Sequence, residues 1–232
     1  MDRVTRKNLK TDKFAQEVGH TFEFLSEHKP QVRLYGLIAL VAVVLGAGYY
    51  FISNYRAGVR ARDLAKALDV DDATVGQAQP RLMTFATEAE KEKARLEAFA
   101  SVAAKHSGTQ EGAIAQMYIA SARVDKGEFA EAEKLYKDVI DSAPASYASL
   151  ATVALANVYS AQGKSADAEK LLRNLVDHPT AFVSKEEATI HLAEAISATR
   201  PNEARKLLEP LRTARSSVSR AAIAALGKIP PN

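Results

Sequence analysis

Cysteine and tryptophan are absent from this 232-residue sequence, and glycine (11), proline (8) and aromatic residues (7%) are sparse. Without Cys there is no disulfide, no thiol nucleophile and no Cys-based zinc site, although either redox environment suits such a chain. Few helix breakers beside abundant Ala favour helix, because Ala loses no side-chain entropy there. No alternating run of Val, Ile or Thr lies between turn residues, so no sheet is expected. Charge of one sign is lacking too. Residues 1–33 hold seven Lys or Arg against five Asp or Glu, and the whole chain carries only +3. A nucleic-acid binder needs a concentrated basic face, which this distribution excludes.

Catalytic signatures are equally scarce. Gly163-Lys164-Ser165 has the ending of a phosphate loop, but the motif needs Gly five residues before Gly163, where Val158 stands, and a preceding strand. An inter-helix turn explains it better. His20, His28, His106, His178 and His191 share no metal-ligand spacing. His106 and His178 fall at predicted helix C-termini, where a donor or cation is favoured. No nucleophile elbow, zinc-protease helix or dinucleotide loop occurs. The expectation is a non-enzyme with no catalytic residue, no cofactor, no metal and no small-molecule substrate.

The one long hydrophobic run is Leu34–Ile52, nineteen residues without a charge. As a helix it spans roughly 28 Å, close to the ~30 Å hydrocarbon core of a bilayer. Tyr49, Tyr50, Phe51 and Tyr55 gather at one end, as an interfacial aromatic belt does. Lys29 and Arg33 flank one side, Arg56 and Arg60 the other. A buried core helix would show a polar face, and a signal peptide would have a shorter leading segment and a shorter apolar region. A single transmembrane helix at 34–55 is therefore expected. The basic tail favours a cytoplasmic N-terminus, although Arg56, Arg60, Arg62 and Lys66 pull the other way. In the tail, Phe14, Val18, Phe22 and Leu25 recur at helical spacing near Asp12–His28. They form either an amphipathic helix on a membrane or partner, or a weakly ordered tail.

Beyond the run, Arg56–Asp69 reads as a polar stalk helix and Val70–Thr87 as a linker. Then the sequence repeats. Gly127-Glu-Phe-Ala-Glu-Ala-Glu-Lys-Leu-Tyr…Pro144 is matched thirty-six residues on by Gly163-Lys-Ser-Ala-Asp-Ala-Glu-Lys-Leu-Leu…Pro179. A further thirty-six residues give Ala204, Leu208 and Leu211. Such a period marks a helical solenoid. Gly127 and Gly163 close a first helix. Ala132, Ala168 and Ala204 admit its partner closely, Tyr136, Leu172 and Leu208 fill the gap, and Pro144 and Pro179 stop the second helix. Units are expected at about 113–145 and 149–180. A third lies at about 185–213, with Thr199 in place of the turn Gly, and Glu88–His106 forms the second half of a degenerate one.

At these residues the chain resembles the tetratricopeptide repeat family. Its tail, span, stalk and degenerate repeats together are similar to bacterial membrane-anchored tetratricopeptide proteins related to the ancillary translocon subunit, a periplasmic chaperone-like family. The resemblance implies an all-α fold, with a single transmembrane helix followed by a tetratricopeptide-like solenoid. It divides as 1–33 cytoplasmic tail, 34–55 span, 56–87 stalk and linker, and 88–232 repeat domain. It implies a bacterial inner-membrane anchor, a periplasmic repeat domain, and a scaffold or chaperone-like role with exported clients, translocon or envelope components as partners. A structural scaffold for envelope assembly or cell division, binding folded partners, has the same parts. First helices line the concave groove of this family. The frame puts Ile114, Met117, Ser121, Val124 and Asp125 there, then Leu150, Val153, Asn157, Ser160 and Ala161, and on a weaker frame Thr189 and Ile196. Asn157 matches one position of the family's carboxylate clamp, but its basic positions hold Met117, Val153, Glu186 and Ile190, so no clamp is expected. Such a groove suits an apolar segment. The same residues serve packing between repeats equally well.

Overall fold

The computed structural model describes residues 29–77, 83–213 and 216–230. The chain is all-α in class and divides into two compact units between Gly58 and Val59. The expected amphipathic tail helix, with Phe14, Val18, Phe22 and Leu25, lies outside the described residues.

Helix α1 runs Lys29–Asp71. In the first unit its large apolar side chains from Leu34 to Tyr55 are exposed, and the window that passes for a membrane span has none of its residues buried. Among the described residues this is the one helix long and apolar enough to cross a bilayer.

The second unit begins with the last turns of α1. Here the structure corrects the stalk reading: Leu64 and Ala67 are buried rather than solvated, within a cluster that includes Phe99, Val102 and Ala115. Two apolar residues three apart among charges make too weak a stripe to be read alone. The expectation of no sheet also needs correction. Two-residue strands, β1 (Thr74–Val75) and β2 (Thr84–Phe85), pair in parallel after α1. The Thr74 N–H donates to the Met83 carbonyl (2.9 Å) and the Gly76 N–H to Phe85 (3.0 Å), which satisfies backbone that no helix can use.

Helices α2 (Glu88–Lys105), α3 (Gln110–Asp125), α4 (Phe129–Ser142), α5 (Ala145–Ala161), α6 (Ser165–Asp177), α7 (Lys185–Ile196) and α8 (Pro201–Leu208) follow, each packed on the next. A 3₁₀ turn (Glu209–Thr213) and α9 (Ser216–Lys228) complete the order. The caps explain the boundaries. Thr87, Thr109 and Ser184 have extended backbone, and their hydroxyls accept from N–H groups three residues on. Gly127 and Gly163 both sit at φ 73°, after helices whose C3 carbonyls (Arg123 and Tyr159) accept from Glu128 and Lys164 at 2.9 and 2.8 Å. This Schellman closure requires the left-handed conformation. The third unit, lacking that Gly, closes α7 instead by bonding the Arg200 N–H to the Ile196 carbonyl (2.7 Å) and restarting at Pro201, the first position of α8.

The core follows the repeat. Ala132, Ala168 and Ala204 are each 0% exposed, and Tyr136, Leu172 and Leu208 are buried beside them. Ala222, Ala225 and Ile229 close the C-terminal end. A smaller cluster at the other end contains the stacked pair Phe99 and Tyr118, with ring centroids 4.4 Å apart.

Candidate protein-binding face

Met117, Ser121, Val124 and Asp125 on α3 and Leu150, Val153, Asn157 and Ser160 on α5 have the three- and four-residue spacing of one helical face. Helix α3 neighbours α5, and α5 neighbours α7, so the first helices of successive units lie side by side. Met117, Val124, Leu150 and Val153 are half-buried and lean on the main core. Ser121, Asp125, Asn157 and Ala161 are exposed, and Ser160 is half-buried. The face thus offers the edges of apolar side chains between small polar ones.

Other expected positions fall elsewhere. Ile114 packs with the smaller cluster around Phe99, although it remains half-buried. Thr189 is half-buried, and its hydroxyl donates to the Lys185 carbonyl at 2.7 Å. Ile196 is a correction: it is 0% exposed and belongs to the core, so no ligand can touch it. Helix α7 ends at this residue, which together with Ala193 faces the core. Of the positions that replace the clamp's basic residues, Ile190 is buried and Glu186 half-buried.

Electrostatics are set by periodic ion pairs on the second helices. Glu133 accepts from Lys137 (2.7 Å) and from the Tyr159 hydroxyl (2.9 Å), with Lys164 at 4.0 Å. Thirty-six residues on, Glu169 accepts from Arg173 (2.7 Å) and from Arg200, while Glu203 joins both arginines. The Lys137 ammonium holds the Glu133 carboxyl below its usual range, against opposition from burial. Burial pushes the Glu169 carboxyl up, but its two arginines outweigh that and leave it low. Burial raises the Tyr136 phenol, and Asp125 adds to the rise. No three His, Asp or Glu side chains converge on a metal-sized site among the described residues.

Sequence reasoning missed an aromatic pair at the rim. Tyr147 on α5 and Phe182 in the α6–α7 loop meet edge-on with centroids 5.1 Å apart, and Phe182 is 46% exposed. The loop lies outside the helical repeat, so periodicity could not flag it.

Paired antiparallel helices in register at thirty-six residues, with Ala at each close contact, define a tetratricopeptide-type interaction scaffold, a class that is typically non-catalytic. The chain belongs to the tetratricopeptide repeat-like domain family, whose model matches residues 30–189. No curated protein and no solved structure matches it.

Proposed function

We propose that the protein is a membrane-anchored protein-interaction module of the bacterial inner membrane. In this reading its N-terminus is cytoplasmic, its repeat domain is periplasmic, and it is a scaffold or chaperone-like factor for exported proteins near the translocon. The observation that carries the interaction-module part of this reading is the family match itself. It starts at residue 30, inside α1, and so takes in the exposed apolar helix together with the repeats. An uncharged apolar run of this length with exposed side chains supports a membrane span. The division into tail 1–33, span 34–55, connecting segment 56–87 and repeat domain 88–232 belongs to this proposal.

The partner-binding face is that of Ile114, Met117, Ser121, Val124, Asp125, Leu150, Val153, Asn157 and Ser160. Half-buried apolar edges without a cationic clamp suit an apolar polypeptide segment held mainly by contact area.

Protease added to spheroplasts tests the topology: it should remove the repeats and spare a tag on Met1. Digestion of both, or a repeat domain found in the soluble fraction, overturns the anchor. Crosslinking in intact cells tests the role. Translocon components and exported clients support the export reading, whereas division or outer-membrane assembly proteins replace it with the envelope scaffold.

A further inference from the structure

The two ends of the solenoid are finished differently. At the C-terminal end α9 lies over α7 and α8 and seals the core with Ala222, Ala225 and Ile229. At the other end the last turns of α1 lie against α2 and α3 through the buried Leu64 and Ala67. There the end of α1 and helix α2 leave a cleft of about 390 Å³. Their backbones stay further apart than those of the paired repeat helices. Asp63, Lys66, Ala67 and Val70 line it from α1; Ala98, Ser101, Val102 and Lys105 line it from α2. Both sets follow the same i, i+3, i+4, i+7 spacing, so two parallel stripes face one space. The floor is apolar and its alanines are small. Met83 stands over it, 49% exposed.

The rim is cationic. Neither Lys66 nor Lys105 makes a hydrogen bond or ion pair among the described residues, and both are exposed. The one carboxylate lining the cleft, Asp63, bonds to His106 at 2.9 Å, and the charges of Lys105 and Lys66 also act on it. Two exposed lysines thus flank a floor made largely of small apolar side chains.

We propose that this cleft docks an amphipathic helix of a partner protein, with its apolar stripe against Ala67, Val70, Met83 and Ala98 and acidic residues against Lys66 and Lys105. The helix's acidic flanks give the register and the specificity, since rim charges steer and orient more than they bind. The site is separate from the face formed by α3 and α5 and does not depend on it.

The test uses the full chain in lipid nanodiscs. As the protein has no Cys, Ser101→Cys places a single environment-sensitive fluorophore on the rim. Two synthetic helical peptides with one leucine stripe, flanked by Glu or by Lys, are titrated against it. The Glu-flanked peptide should bind saturably and the Lys-flanked one should not. Lys66→Glu with Lys105→Glu should weaken the first by roughly ten-fold and admit the second, on the scale of two exposed charge pairs. Lys164→Ala, on the exposed α5–α6 turn, should leave both results unchanged. Circular dichroism of each variant checks folding, and binding of the opposite peptide by the charge-reversed variant shows that its cleft is intact. Equal binding of both peptides, no binding of either, or self-association of the chain through the labelled face would overturn the proposal.

Discussion

The Arg60 guanidinium near the end of α1 donates to the Glu111 carboxylate in the first turn of α3 at 3.1 Å, and the Glu111 side chain is only 4% exposed. Fifty-one residues separate the two in sequence. Burial pushes the Glu111 carboxyl up; bonds from Gln110, its own backbone N–H and Arg60 outweigh that and hold it below the usual range. Arg60→Ala therefore leaves a buried charge short of a partner. It should lower the urea midpoint by an amount equivalent to about 1–2 kcal/mol, less than for a fully enclosed pair because Arg60 is 26% exposed. Arg60→Ala with Glu111→Gln should recover part of the loss. An unchanged midpoint for Arg60→Ala would show that the pair contributes nothing.

The fold should weaken at both pH extremes. Glu92, Glu111, Glu133 and Glu169 all have carboxyl pKa values below the ordinary range in the folded chain. Their contribution is complete above about pH 4.5 and is lost as pH falls through the folded values. Tyr136 shifts the other way, raised by burial. Its contribution holds below about pH 10 and fades as pH rises further. Thermal unfolding followed by circular dichroism from pH 2 to 11 should show a plateau between these limits, and Tyr136→Phe should flatten the alkaline side.

Gly112→Ala should be more damaging than a helical Gly-to-Ala change normally is. A Cβ at Gly112 would lie 2.1 Å from the His106 carbonyl oxygen, a backbone atom that cannot swing aside. The α2–α3 corner would have to move, and with it the bond between His106 and Asp63. A loss of about 1–3 kcal/mol is expected, the range for overpacking. A melting temperature raised by helix propensity alone would contradict this geometry.

Ala132→Trp and Ala168→Trp put the largest side chain where nothing is exposed, and each should cost about 1–3 kcal/mol or prevent folding. Lys164→Ala serves as the control. Its ammonium is 47% exposed and 4.0 Å from Glu133, so the change should stay within about 0.5 kcal/mol. Thermal shift measurements that reverse this order would mean that the repeat register is wrong.

Met117→Glu, Val124→Glu and Val153→Glu should weaken binding of apolar polypeptide, because each places a carboxylate among half-buried apolar edges. Variants that keep the native circular dichroism spectrum are compared by crosslinking to an unfolded client. Wild-type binding should survive raised salt, since screening acts mainly on exposed charge pairs. Normal binding by all three folded variants would remove this face from consideration.

The helix pairs were legible because a solenoid writes its packing locally. Gly127 and Gly163 mark turns, Ala132, Ala168 and Ala204 mark close contacts, and all recur at one interval. Proline positions and the uncharged run of α1 were legible for the same reason: each acts through its own backbone or its own transfer free energy. The site was less legible. The repeat frame placed Met117, Val124, Leu150 and Val153 on neighbouring first helices, but Ile196 passed the same test and is core. Only the packing around the end of α7 separates presented from buried.

The sequence by itself determined the paired repeat helices, the thirty-six-residue register and the apolar helix, since these follow from propensity, spacing and hydrophobicity within a few turns of chain. The tertiary structure decided that the end of α1 joins the repeat unit through Leu64 and Ala67, that Arg60 meets Glu111, that Gly112 must pass the His106 carbonyl, and that Lys66 and Lys105 flank one cleft. These contacts join segments tens of residues apart and recur at no interval. Nothing local distinguishes a lysine at such a rim from one on any solvated helix face.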